Sequence, residues 1–286
     1  MAANPLLLRT PLPVLTERAS SVRTSRYRAP WVWAVSGITL GLLAGALVFA
    51  PARWLAAGLD WAGSPLQLHN AQGTLWNGSG QLTFQSDAQG STALPGQLEW
   101  TLRPAWIHQQ PGLRVQWRAD CCLSQPWVWR ISTDLQALQL QTDDLPSSQP
   151  LRMPASMLTG LGTPWNTLQP QGRLELSTRA LDIRGGTEGL QLQGALQLDA
   201  LGVSTSLSTL KPIGSYRFAL HGATHPNLTL STLEGALQLR GSGVIQNRRV
   251  VFDGEATAAD GREDALSNLL NIIGQRQGAR SLIHLG

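Results

Sequence analysis

The sequence predicts a mainly β protein: a single N-terminal transmembrane helix, an antiparallel β-sheet body formed as a curved sheet or a sandwich of hairpins, and a short C-terminal helix. Three observations carry this reading. No charge lies between Arg28 and Arg53, a period-two alternation of apolar and polar residues fills most of the chain beyond Ser64, and one short stripe at helical spacing occurs near the end. A charge-free apolar run of that length suits a bilayer, whereas alternation at period two suits half-buried strands.

Each element can be justified in chain order. The 286 residues suffice for one large domain or two smaller ones with appendages. Charged residues make up only 14% of the chain, against about 25% in an average protein. A net charge of +4 and a pI near 9.8 suggest a polyanion binder until the charges are located. Residues 1–30 hold Arg9, Arg18, Arg23, Arg26 and Arg28 against Glu17, so this tail carries the whole net charge of +4. The rest of the chain is balanced and has no electrostatic footprint for nucleic acid.

Residues 31–50 read WVWAVSGITLGLLAGALVFA. Twenty helical residues rise about 30 Å, the thickness of the hydrocarbon core, and residues 31–52 are expected to span a membrane. Trp31, Trp33 and Trp54 flank the run where indoles favour the lipid–water interface. Gly37, Gly41 and Gly45 form a stripe that permits close helix contact, although glycine is common in membrane helices generally. A cleaved signal peptide has a shorter apolar region, about 7–15 residues, and a small-residue cleavage site. Pro51 directly after Val48-Phe49-Ala50 is a poor context for cleavage, which favours an uncleaved anchor. Five arginines before the helix and Arg53 after it place the N-terminus, residues 1–30, in the cytoplasm and the body across the membrane. Residues 53–64 are expected to form a juxtamembrane helix, ended by Gly63-Ser64-Pro65.

From residue 65 to 286 the pattern is β. Leu66 and Leu68, Leu82 and Phe84, Leu98, Trp100 and Leu102, Leu113, Val115 and Trp117, Trp127, Trp129 and Ile131, and Leu138 and Leu140 alternate with polar neighbours. The signature returns at Leu174 and Leu176, from Leu190 to Leu198, from Tyr216 to Leu220, at Leu228 and Leu230, at Leu237 and Leu239, and at Val250 and Phe252. Turn-forming residues separate these runs, so consecutive hairpins are expected. The stretch Gln141–Leu168, with Pro146, Pro150, Pro154 and Pro164, breaks the pattern. It is expected to hold a short helical turn near Ala155–Leu161 and a boundary between two lobes near residues 142–168. GALQL occurs at Gly194–Leu198 and again at Gly235–Leu239, either as a duplicated strand unit or as convergent usage in similar strands. The final helix is signalled by Asp260 as a cap, Glu263 three residues on, the stripe Leu266, Leu269, Leu270 and Ile273, and Gly274 as its stop. Its apolar face is expected to pack on the sheet or to dock another protein.

The residue inventory offers little chemistry. His221 and His225 would converge on a metal only on a helix, and Gly222 and Pro226 argue for a loop instead. Cys121 and Cys122 are adjacent and are the chain's two cysteines. They can bond to each other, pair with another chain or remain thiols, and on a strand they would point to opposite faces. The lone Lys211 completes no phosphate loop, no nucleophile elbow surrounds Ser79 or Ser242, and Gly185-Gly186 with Gly189 reads as a hairpin turn. Asp143-Asp144 and Glu263-Asp264 read as a solvated loop and a helix start. No catalytic group, cofactor or metal is therefore expected.

The most distinctive local sequence is Gly73-Thr74-Leu75-Trp76-Asn77-Gly78-Ser79-Gly80. Glycines on both sides let the Trp76 ring lie over neighbouring backbone, and Asn77-Gly78 signals a tight hairpin turn. The indole is either an anchoring side chain or an exposed aromatic contact.

Taken together, P-A-R-W-L after the apolar helix, G-T-L-W-N-G-S-G, Leu-rich G-A-L-x-L strands and the closing A-L-x-N-L-L-x-I-I-G-x-R resemble protein N of the bacterial type II secretion system, over roughly residues 45–286. The family's motif falls on Gly73, Leu75, Trp76, Asn77 and Gly78. The resemblance implies a non-enzymatic, single-pass inner-membrane protein with a periplasmic domain, an accessory part of the machine that exports folded periplasmic proteins. Its implied partners are the inner-membrane platform proteins and the outer-membrane secretin. A second reading stays open beside it, in which an uncovered Leu/Trp face of the sheet binds or transfers envelope lipid.

Overall fold

The computed structural model describes residues 31–86, 90–134, 136–163, 165–186, 189–223, 225–246 and 249–286. The arginine-rich residues 1–30 lie outside the described residues. The chain divides into two units after Ala44.

Helix α1 spans Trp31–Val48, and none of its residues is buried. It is long and apolar enough to cross a membrane. Pro51 has no N–H to continue a helical ladder, and α1 ends before it, at Val48. Ala50 and Ala52 are fully buried, and Pro51 forms an antiparallel bridge to Thr74 before helix α2 begins at Arg53–Trp61.

The body, Gly45–Gly286, is built on one antiparallel sheet, with sixteen strands among the described residues. The first half contains β1 (Leu66–Gly73), β2 (Asn77–Ser86), β3 (Gly90–Ala93), β4 (Leu98–Ile107), β5 (Gln110–Ala119), β6 (Trp127–Thr133), β7 (Ala137–Thr142) and β8 (Leu151–Pro154). The second contains β9 (Gln171–Gly186), β10 (Gly189–Ser204), β11 (Gly214–Ala223), β12 (Asn227–Gly235), β13 (Leu237–Gln246), β14 (Arg249–Ala258), β15 (Gln275–Gln277) and β16 (Arg280–Leu285). Strand neighbours follow chain order from β1 to β14 except that β2 is followed by β4 and β7 by β9. Short β3 pairs antiparallel with the end of β2, and β8 with the start of β9. The sheet passes directly from β7 to β9 through Ala137↔Gly186 to Gln141↔Asp182.

The segment rich in proline leaves this ladder and packs back on it. A 3-10 helix covers Ala155–Leu161 and a single turn, α3, covers Trp165–Leu168. Met157 joins Leu94, Ala119 and Cys122 in a core beneath β2 and β5, and Ala155 joins Leu174 and Ala200. At the far end, helix α4 (Glu263–Ile273) covers the inner face of β11–β14. Leu266, Leu269 and Leu270 are almost wholly buried there with Leu237, Tyr216 and Phe252, and Ile273 packs at the margin. The chain's own helices thus cover much of the apolar face. The outer face carries cross-strand polar pairs: the Arg217 guanidinium makes two 2.8 Å bonds to Asp199, while Gln139 and Gln141 donate to Asp182 at 2.7 and 2.8 Å.

Several local expectations are corrected. Asn77-Gly78 opens β2, so the turn falls on Thr74–Trp76 instead. Cys121 and Cys122 lie in the turn after β5, not on a strand, and are bonded to each other, with Cys122 buried and Cys121 exposed. Asp260 does not cap α4, which begins after Arg262 without a side-chain cap. Gly274 ends α4 in an extended conformation; a Cβ there would stand 2.2 Å from the Leu282 carbonyl, so this glycine admits β16. Of the two GALQL copies, one lies inside β10 and the other crosses the β12–β13 turn, so they are not equivalent units.

Candidate functional site

The family-like motif sits where the chain passes from α1 into the sheet, and it is built by backbone geometry more than by side-chain chemistry. β1 ends at Gly73, whose φ of +84° is a left-handed conformation that suits glycine. A Cβ there would also stand 2.5 Å from the Asn77 carbonyl. The three-residue turn beyond it is closed by Thr74 N–H donating to the Asn77 carbonyl at 2.8 Å and by Asn77 N–H donating to Thr74 Oγ1 at 3.1 Å.

One side of this turn binds the segment after α1. Ala52 N–H donates to the Gly73 carbonyl at 3.1 Å, and Leu75 N–H donates to the Ala50 carbonyl at 2.7 Å. Trp76 reaches further, its indole N–H donating to the Leu47 carbonyl at 2.9 Å. Leu47 is in the last turn of α1, where carbonyls have no partner within the helix. The indole satisfies one of them.

The other side binds the sheet. Leu102 N–H donates to the Trp76 carbonyl at 2.7 Å, and the Trp100 indole donates to the Leu75 carbonyl at 3.1 Å. Trp100 is 2% exposed and packs with Ala52 and Leu68. Gly78 is what lets it in, since a Cβ at that position would stand 2.5 Å from the Trp100 ring. The five motif residues Gly73, Leu75, Trp76, Asn77 and Gly78 are therefore brought together in one two-sided clamp. Leu266, Leu269, Leu270 and Ile273 lie elsewhere, within the α4 core.

Of the two roles the sequence allows Trp76, anchor or exposed contact, the structure gives it part of each: it is half-buried, and the fully buried indole is Trp100. Ala50 and Ala52 belong to the site without belonging to the motif. Their signal in the sequence is smallness on both sides of Pro51, joined for Ala52 by its place in the P-A-R-W-L run, and both are fully enclosed.

The clamp contains no titratable side chain, and among the described residues no group of three or more His, Cys, Asp or Glu converges. Perturbed groups lie away from it. Backbone N–H groups of Ala137 and Gln136 hold the Asp134 carboxyl below its ordinary value, burial pushes the Tyr216 phenol up, and the hydrogen bonds to Asp199 raise Arg217. What the arrangement can do is mechanical: it fixes the chain leaving α1 to the first hairpin of the body.

A family model described as type II secretion system (T2SS), protein N, matches residues 64–282, well over half of the chain. No curated protein and no solved structure matches it.

Proposed function

We propose, on the premise that the chain belongs to the type II secretion system protein N family, that it is a non-enzymatic, single-pass inner-membrane component assisting assembly or stability of the secretion apparatus. In this reading α1 spans the inner membrane, residues 1–30 lie in the cytoplasm and residues 65–286 form the periplasmic β-domain. Its partners are the platform proteins of the inner membrane and the secretin. The observation that carries the reading is the clamp. Five backbone and indole hydrogen bonds join the exit of an exposed apolar helix, the family motif and the sheet, an arrangement suited to holding a domain at a membrane surface. The lipid-carrying alternative needs an open apolar face, and α4 together with the 3-10 helix occupies much of that face.

Topology tests this directly. An alkaline phosphatase fused after Gly286 should be active in cells, and deletion of residues 31–50 should abolish both membrane retention and secretion. An inactive phosphatase fusion with an active cytoplasmic reporter at the same site would overturn the orientation.

A further inference from the structure

Beyond the clamp, the chemistry left unassigned is that of the two cysteines. Cys121 and Cys122 are the chain's full complement and are bonded to each other across a single peptide unit. A disulfide stabilises a fold chiefly by closing a loop of the unfolded chain, and the effect grows with the length of that loop. A bond between neighbours stands at the bottom of that scale, so a structural staple is a poor account of it. Disulfides exposed to solvent are the ones that exchange with thiols, and this pair is open on one side: Cys121 is exposed, whereas Cys122 is 6% exposed.

The pair also lies where separate segments of the body meet. It follows β5 directly, and the N–H groups of Cys122 and Leu123 both donate to the Ala119 carbonyl, at 2.9 and 2.8 Å. From the connection between β3 and β4 comes Gly96, where a Cβ would stand 3.6 Å from that of Cys121. From β8, the Arg152 N–H donates to the Cys122 carbonyl at 2.9 Å. The 3-10 helix that follows β8 sends Met157 into the core that holds Cys122 with Leu94 and Ala119. Cys122 thus carries half of the disulfide ring, a hydrogen bond to β8 and a place in the core shared with the helix beyond it.

We infer that Cys121–Cys122 is a thiol–disulfide exchange site for a dithiol reductant, and that opening the bond loosens the hold of the β5–β6 connection on β8 and the 3-10 helix. One thiol of the reductant, as its thiolate, attacks Cys121 Sγ, on the open side of the pair. The Sγ–Sγ bond breaks, and its electron pair leaves on Cys122 Sγ, which takes up the proton that the attacking thiol released. The second thiol of the reductant then displaces Cys121 Sγ from the mixed disulfide in the same way, so the chain gains two thiols as the reductant becomes a disulfide. A neutral thiol is the form that the apolar surroundings of Cys122 favour. With the ring gone, the backbone between the two residues regains its freedom, and the Cys122 carbonyl and side chain are held only by their contacts with the rest of the body. None of this depends on the secretion reading, because every group belongs to the body.

The test uses the full chain in detergent, purified without reductant, with dithiothreitol as the dithiol. Dithiothreitol without denaturant is expected to yield two maleimide-reactive thiols where the untreated chain yields none. Single-cysteine variants read the asymmetry: C122A should label at Cys121 in the folded state, and C121A should label at Cys122 only after denaturation. Trypsin reads the coupling, because Arg152 lies in β8. Reduction, or C121A and C122A combined, should speed cleavage after Arg152 about tenfold, the effect of one lost backbone hydrogen bond, while cleavage after Arg262, just before α4, keeps its rate. A pair that resists dithiothreitol until the chain is unfolded would overturn the exchange site. Reduction that leaves the Arg152 cut unchanged, or that speeds both cuts alike, would overturn the coupling to β8, and free thiols in the untreated chain would overturn the bond itself.

Discussion

Glycine and tryptophan divide the labour at the clamp, and single substitutions separate their contributions. In G78A the added methyl meets the Trp100 ring, an overpacking that should cost about 1–3 kcal/mol. W76F keeps most of the ring and removes the hydrogen bond to Leu47, a loss of about 1 kcal/mol. Urea unfolding of the full chain in detergent checks both, and the expected order is G78A well below W76F. Tyr216 supplies a pH-dependent counterpart. Burial raises its phenol above the ordinary 10.0, so the folded state favours the neutral form. That contribution is intact below pH 10 and is lost as pH climbs above it, because the unfolded chain ionises first. Y216F forfeits the bond to the Leu237 carbonyl at neutral pH, but its stability should fall less steeply than wild type above pH 10 in an alkaline titration of the melting temperature.

At the scale of elements, the body depends on helices that cover its own sheet. Leu269 is 1% exposed between α4 and β11–β14, so L269A should cost about 2–5 kcal/mol. Thermal unfolding measures it, and a change below 1 kcal/mol would mean that α4 is a detachable docking helix. Nearly every long strand is legible in the sequence because its alternation of Leu or Trp with polar residues has the period of a half-buried sheet. Strands β3, β8, β15 and β16 are not. Gly90–Ala93 and Leu151–Pro154 are four residues long, too short to display a period, and Gln275–Gln277 is wholly polar. The α4 stripe is readable from its spacing, but its boundaries are not, because Asp260 and Gly274 serve the neighbouring turn and strand. The clamp is half legible: the motif stands out, whereas its partners Leu47, Ala50 and Ala52 are joined to it by carbonyl and amide groups that leave no trace in side-chain identity. Trp100 falls on a strand as its alternation predicts, but its contact with Gly78 is a matter of register.

At the scale of the molecule, charge and hydropathy divide the chain by environment. In the proposed reading the positive tail and the apolar α1 set topology and the neutral β-body serves assembly, while the clamp joins the exit of α1 to the start of the body. Membership in the protein N family gives the chain its role in type II secretion, and the proposed role as an assembly component makes a direct claim about association. The decisive measurement is purification of the full chain from native membranes after mild crosslinking, with mass spectrometry of what accompanies it. The account predicts platform proteins and secretin well above background, reduced in a variant that loses the clamp through G73A and G78A together. Recovery of the chain with no secretion component above background would contradict it.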